Sequence, residues 1–559
     1  MAEAKYIGGQ RICDLVAREK IERLEQYEYV FTSDVDESVQ NWLDEHPEAT
    51  TTVGDHSLTY AKLVPGTLGF VTPEMYGAKG DGVTDDTQSI QSAIDSGKSV
   101  LFNKKTYVCG RVNISGNGVI IDGNFATVLH GANSGFVILE GAHDVVICNF
   151  HSVCTYEKDS IQETNAHIIV GSNSTSPDEE YFAYNITVQN CSFNGGVMGV
   201  AVTSAKNVLI DNCKFGGFVY KPEDLAGGYG ILIQSCIDVS ITNSEFSIGA
   251  YGRHDVYISV DQRKSVHVKN KNVTIDRCKF DHSALVLDEN NYYYSPNTVP
   301  VNVRATERIT VSNSYFHSVT GAVNLFSPDG PIDGAVVENC LVDGPVYNSG
   351  AGEVRHVIGV AGTAENHIKA DISGITVLNV PAAYTMFAAI RNCTVNIYSC
   401  NIGKTNIVCY ENCTPHVFDI ITAITSNFMR FNGAGETKGF CRNITFLNGL
   451  SGNEYYFGSG STASNDFYDT VQIRVKLPVS AAFTDWIALP NGMNPEKCYC
   501  SGIGMLNSTG IRYGQGTYTE SARIYAELSA NGMRVYNSDT NYFDSYAYVC
   551  ITPVPRLYT

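Results

Sequence analysis

Apolar and polar residues alternate in short bursts through the middle of the chain, and the bursts repeat. "NITVQNCSF" (185–193), "NVLIDNCKF" (207–215), "DVSITNSEF" (238–246), "NVTIDRCKF" (272–280) and "RITVSNSYF" (308–316) share one pattern. Each has a polar start, two apolar residues two apart, a polar turn pair, a Cys or Ser, and Phe two residues later. Looser copies follow at "AVVENCLV" (335–342), "VNIYSCNI" (395–402) and "NITFLNGL" (443–450). Alternation at period two predicts half-buried strands. The Cys or Ser positions 191, 213, 244, 278, 314 and 340 lie 22, 31, 34, 36 and 26 residues apart. A repeat of that size and irregularity predicts a solenoid whose coils carry loops of variable length.

Equivalent residues stack on successive coils of such a fold. Cys191, Cys213, Cys278 and Cys340 are then an internal column of small hydrophobes, with a reactive thiol as the less favoured reading. The phenylalanines at 193, 215, 246, 280 and 316 form a second column. A further strand per coil is expected at "GVAV" (199–202), "GILI" (230–233), "DVYI" (255–258), "ALVL" (284–287) and "AVNL" (322–325).

Before the repeats, "EMYGAKGDGVTDDTQSIQSAI" (74–94) reads as a glycine-rich loop and a capped amphipathic helix, and "SVLFNKKTYVCG" follows as strand. Ile90, Ala93 and Ile94 mark the buried face of that helix. Asp81, Asp85 and Asp86 stand where turns and a helix N-terminus need acceptors, which favours a structural role over metal binding or catalysis. This segment resembles the opening of the pectate-lyase-like superfamily of right-handed parallel β-helices, which includes polygalacturonases and many bacteriophage tailspikes. With the repeats, the resemblance covers roughly residues 70 to 450. It implies that the helix covers the open end of the coil stack, where bare strand edges invite aggregation.

The two ends differ. Residues 1–66 carry a mixed-charge helical segment, "ICDLVAREKIERLEQYEYVF", with Leu15, Ile21 and Leu24 on one side. A second short helix is expected in "VQNWLDEHPEATTTV", ended by Pro47. Too short to bury a core alone, the segment reads as an oligomerisation or attachment element, or as an extension packed on the coils. Residues 67–454 are the expected parallel β-helix. Residues 455–559 show short alternating strands between Gly, Asn and Ser turns, the pattern of a β-sandwich serving trimerisation or glycan binding. The fold class expected is all-β. A helical leader, a β-helix and a terminal sandwich together resemble phage tailspikes. That resemblance implies a homotrimer on the virion, joined to the phage tail or baseplate through the N-terminus.

Composition narrows the function. With 38 basic and 58 acidic residues in 559, the net charge is −20, which argues against nucleic acid or an anionic membrane as partner. Glycine at 51 and tyrosine at 33 suit a turn-rich β protein. No apolar run is long enough to span a bilayer, and the opening lacks the apolar segment of a secretory signal. A protein of this kind working outside a cell is expected to leave by lysis or on a particle. Seventeen cysteines, an odd number without zinc-ligand spacing, argue against a disulfide framework or a zinc site. No cofactor and no metal is expected.

The N-T-D and G-H-G motifs of polygalacturonases and the calcium-site pattern of pectate lyases do not stand out here, so no catalytic residue carries over from the resemblance. Candidates come from outward positions instead. In "RHDVYIS", Val256 and Ile258 are expected inward, leaving Asp255, Tyr257 and Ser259 outward. Asp255 interrupts a column of small residues at Gly199, Gly230, Ala284 and Ala322, with Arg253 and His254 beside it. In "ALVLDENNYYYSP", Asp288 is expected outward over Ser259, and Glu289 opens a loop rich in Asn and Tyr. Asp261 and Asp288 would then have Cα atoms roughly 8 Å apart, a spacing suited to paired carboxylates. Asp224 lies in an insertion on the preceding coil.

The expected catalytic set is therefore Asp224, Asp255, Asp261, Asp288 and Glu289. Arg253, His254, Tyr257, Tyr292 and Tyr293 are expected to bind substrate, the tyrosines by stacking on sugar rings. The competing readings are ordinary loop acids at Asp288 and Glu289, and a local bond from Asp255 to Arg253 or a turn amide. The reading as a whole is a tailspike that binds and depolymerises a bacterial surface polysaccharide, by hydrolysis with paired carboxylates. A glycan-binding fibre without activity and a polysaccharide lyase are the alternatives.

Overall fold

The computed structural model describes residues 69–154, 166–171, 179–221, 226–247, 249, 252–260, 269–285, 298–346, 356–382, 386–424, 428–431, 440–447 and 455–457, and 471–476, 482–487, 489, 498–507, 510–514, 524–529, 532–537 and 546–553 of the C-terminal part. The predicted helices of residues 1–66 lie outside them, as do Asp224, Asp261, Asp288, Glu289, Tyr292 and Tyr293.

Between Phe70 and Phe457 the strands pair in parallel, coil upon coil, in one continuous hydrogen-bonded system, apart from a small antiparallel pair, Tyr220–Lys221 with Ala226–Gly227. Each central coil contributes one strand to each of three sheets. The first sheet stacks Ala166–Val170, Met198–Thr203, Tyr229–Gln234, His254–Ser259, Val301–Val303, Val323–Phe326 and His356–Ala361. The second stacks Ala183–Gln189, Ala205–Asp211, Ile237–Thr242, Lys271–Asp276, Ile309–Ser312 and Ala335–Glu338. The third stacks Ser192–Asn194, Lys214–Gly216, Glu245–Ser247, Lys279–Asp281, Tyr315–His317 and Leu341–Asp343. This is the parallel β-helix that the repeats predicted.

Each repeat motif spans the corner between the second and third sheets. The polar residue before Cys or Ser bends the chain there: Asn190, Asn212, Asn243, Arg277, Asn313 and Asn339 all have φ between 49° and 54°. Asparagine tolerates this left-handed region because its short amide bonds locally. Asn212 Nδ2 donates to Asn190 Oδ1 at 2.8 Å, and Asn313 Nδ2 donates to Asp276 Oδ1 at 2.7 Å. Just inside the corner, Cys191, Cys213, Cys278 and Cys340 are buried and free, and Ser244 and Ser314 alternate with them in the same column. The serine hydroxyls accept from the Cys213 and Cys278 amides, and burial raises the thiol of Cys278 to about 12. These are core residues, not nucleophiles.

The phenylalanine column forms as expected. Phe193, Phe215, Phe246, Phe280 and Phe316 stack with centroid separations of 5.1, 4.7, 4.9 and 4.7 Å. Burial of each ring is worth about 1.5–3 kcal/mol, and stacking adds to it.

The opening segment also behaves as read, with one addition. The helix Thr87–Asp95 buries Ile90, Ala93 and Ile94. Asp85 accepts from the Thr87 amide, while Asp86 is turned back to the amides of Lys79 and Gly80. Asp81 accepts from the amides of Val83 and Thr84, and residues Asp81–Asp85 form a short strand that the loop reading did not include.

Two boundaries move. Tyr455–Phe457 still pairs in parallel with Met429–Phe431, so the coil stack runs to residue 457, past the expected limit of 454. And "ALVL" (284–287) is not the strand that follows His254–Ser259 in the first sheet. Val301–Val303 takes that place, with Val256 opposite Val301 and Ile258 opposite Val303. From Val471 on, the strands are antiparallel, in sheets of four and three strands.

Candidate functional site

The outer face of the first sheet gathers the polar and aromatic side chains of the central coils. On His254–Ser259, Val256 and Ile258 point into the core and are fully buried. His254 and Tyr257 lie on the other face with Tyr229 of the preceding coil. Tyr229 and His254 are parallel within 4° at 5.9 Å, and Tyr257 lies 5.0 Å from Tyr229 and 5.3 Å from His254. Arg253 donates to the Tyr229 hydroxyl at 3.3 Å and places its guanidinium 4.9 Å above the Tyr220 ring. Burial pushes the Tyr229 phenol up to about 12, so the ring system is neutral and Arg253 is its charge.

His254 is pinned at both nitrogens. Nδ1 lies 2.9 Å from the Val299 carbonyl, so Nδ1 carries the proton and Nε2 accepts, at 3.1 Å, from Asn302 Nδ2. Burial, assisted by the charge of Arg253, holds the imidazole well below its usual pKa. His254 therefore serves as a neutral anchor for Asn302. Asn324 Nδ2 continues the row by donating to Asn302 Oδ1 at 3.1 Å. Beside it, Arg304 forms a two-pronged ion pair with Asp329 at 2.6 and 2.8 Å, donates to Tyr257, and lies 5.9 Å from the Phe326 ring. Phe326 is 39% exposed. Rings with apolar faces, amides fixed in orientation and two arginines form a surface suited to polyhydroxylated ligands.

The structure corrects the expected place of Asp255. It is 1% exposed, and its carboxylate accepts from His282 Nε2 at 2.7 Å. The period-two alternation slips by one at this point of each coil. A Cβ built on Gly199 would lie 2.7 Å from the Phe215 ring, and one on Gly230 would lie 3.0 Å from the Phe246 ring. The small residues of this column face the phenylalanine stack, so they answer a steric demand. Asp255 fills the same column and is hydrogen-bonded to His282; burial raises its carboxyl and the imidazole opposes the rise. Its bond is neither to Arg253 nor to a turn amide.

The register also removes the basis for the Asp261–Asp288 spacing. Arg304, directly after the strand Val301–Val303, bonds through its amide to the Ile258 carbonyl at 2.8 Å and occupies the coil position expected of Asp288. Of the expected substrate contacts, Tyr257 is half-buried on the outer face and Arg253 lies beside it. Asp224, Asp261, Asp288, Glu289, Tyr292 and Tyr293 fall outside the described residues. Residues 261–268 follow Val260, and 286–297 end just before Thr298 and Val301–Val303.

Sequence reasoning missed Asn302, Asn324, Arg304, Asp329 and Phe326. A signal was present: "VNV" (301–303) and "VNL" (323–325) place the same amide between two apolar residues on neighbouring coils.

No protein-family model matches the chain. A capsule-specific depolymerase of Klebsiella phage K5-2 is 34% identical over 95 residues, covering 14% of this chain and 12% of that protein. A second, KN3-capsule-specific depolymerase of Klebsiella phage KN3-1, is 25% identical over 227 residues, covering 33% of this chain and 26% of its own length. The chain thus matches at most about a quarter of the length of these relatives. Among solved structures, the tailspike of Pseudomonas phage phi297 is similar with a TM-score of 0.46 and 11% identity, over 87% of this chain and 99% of that one.

Proposed function

We propose that this chain is a phage tailspike that binds a bacterial surface polysaccharide on the outer face of the first sheet and depolymerises it. The carrying observation is the run of Tyr257, Arg304, Asn324 and Phe326 along that face, backed by the buried Tyr229 and Asn302, on the coils with the longest insertions. Long segments on a rigid sheet are where function concentrates. The partial identity to two capsule depolymerases supports the same reading.

The reaction favoured is glycoside hydrolysis. Its acids are drawn from Asp224, Asp261, Asp288 and Glu289. One carboxyl would protonate the leaving oxygen, while another would activate water or attack the anomeric carbon. Arg253 and Tyr257 would orient the chain. The working form is a homotrimer on the virion, attached to the tail through the N-terminal segment.

The test is to incubate the full chain with a panel of purified bacterial capsular polysaccharides and to size the products. Hydrolysis is expected to give shortened chains with new reducing ends and no new ultraviolet absorbance. Shortened chains that absorb as unsaturated uronates would make the enzyme a lyase. Binding without shortening would leave a receptor-binding fibre.

A further inference from the structure

Beyond His356–Ala361 the first sheet continues with Met386–Arg391 and Asn406–Cys409. At the C-terminal ends of these strands, successive coils place Arg304, Phe326, Ala361, Arg391 and Tyr410 in register. The residues just before them, Leu325, Val360 and Ile390, are fully buried, so Phe326, Ala361 and Arg391 project outward. Neighbouring coils lie about 4.8 Å apart, which sets the Cα atoms of Phe326 and Arg391 about 9.6 Å apart. Only the methyl group of Ala361 lies between them in this column.

Both walls of this gap are drawn away from it. Arg304, on the preceding coil, lies over the Phe326 ring at 5.9 Å, which leaves the opposite ring face toward Ala361. A methyl group on the next coil is too short to cover that face, and Phe326 is 39% exposed. Arg391 leans the other way, its guanidinium 5.2 Å from the centre of the Tyr410 ring. Ala361 is half-buried and Arg391 exposed, so the gap is open to solvent. The neighbouring column is closed, because the His356 ring and the Asn324 amide lie over Gly359. The two arginines also differ in their charge partners. Arg304 is held by Asp329, whereas Arg391 forms no ion pair and no side-chain hydrogen bond among the described residues.

We propose that Phe326, Ala361 and Arg391 form a subsite for a sugar residue bearing a carboxylate, so that the polysaccharide taken by this face is an acidic one. The sugar ring packs its apolar side on Phe326, above Ala361. Its carboxylate accepts two hydrogen bonds from the Arg391 guanidinium, whose planar fork matches that geometry. A chain of net charge −20 offers an anionic polymer no long-range attraction, so recognition depends on this local cation. The proposal rests on the polysaccharide reading above and specifies the class of polymer.

The experiment measures binding of the full chain to a panel of purified capsular polysaccharides, acidic and neutral. Each acidic polymer is used intact and after chemical reduction of its carboxylates to alcohols, which leaves rings and linkages in place. At least one acidic polymer is expected to bind, and reduction should weaken that binding by about tenfold or more. Arg391→Gln should cause a similar loss with the intact polymer and none with the reduced one, a pattern that damage to the fold would not produce. Phe326→Ala should weaken both forms, and the melting temperatures of the two surface variants should match the parent. Unchanged affinity for the intact polymer in either variant overturns the subsite and leaves the depolymerase reading standing. Equal binding of reduced and intact polymer, or binding of neutral polymers alone, overturns recognition of a carboxylate and again spares that reading. Failure of the parent protein to bind any member of the panel overturns both.

Discussion

Asp255 illustrates how a residue's role depends on which way its Cβ points. Its acidity, its neighbours Arg253 and His254, and its place in a column of small residues all fit an exposed acid. The column is small because the phenylalanine stack lies behind it, and the carboxylate is held by His282 inside the coil. Removing one partner of a buried hydrogen-bonded pair leaves the other's polar atom unsatisfied. Asp255→Ala is therefore expected to destabilise the protein by about 1–3 kcal/mol. Denaturation would measure this, and polysaccharide cleavage by the surviving folded fraction should keep its rate per folded molecule. Tyr257 shows the opposite outcome, since plain alternation placed it outward and the structure does too.

At the scale of the element, the corner between the second and third sheets is set by single residues in the left-handed region. The motif's polar turn pair was legible in the sequence, and its physical reason is the tolerance of asparagine for positive φ. Asn313 has φ 50° and bonds to Asp276. Asn313→Ala should cost about 1–2 kcal/mol in that conformation, and Asn313→Gly less, since glycine adopts it freely. Urea midpoints of the two variants check the order. The strand after His254–Ser259 was not legible in the same way. "ALVL" and "VPVNV" both alternate, and the chain between Asp281 and Val301 has no fixed length in a solenoid. Only the pairing of Val256 with Val301 decides between them, and with that choice Asp288 loses its predicted neighbour.

At the scale of the whole molecule, the coil interior is a place where charge is excluded, and several histidines lie in it on different coils. Burial lowers His130 to about 3 and His167 to about 4. An unfolded histidine takes up a proton near its ordinary pKa of about 6.5, whereas these folded rings refuse it. The stability they permit is thus complete above about pH 6.5 and is lost as the pH falls toward about 4. Lowering the pH from about 7 to about 5 should cost up to about 2 kcal/mol per ring. Denaturation at the two pH values measures the slope, and His167→Gln should flatten it.

Alternation, the Cys-and-Phe pattern and the asparagine turns depend on nearest neighbours along the chain, and these alone were enough to specify parallel coils, their internal columns and the antiparallel strands after residue 471. What stacks over what is a relation between residues tens of positions apart, across insertions whose length the repeat leaves free. Tertiary pairing therefore decided that Asp255 lies inside and that Asn302 and Asn324 line up behind His254. Side-chain type is written locally, but a surface on this fold is assembled by register.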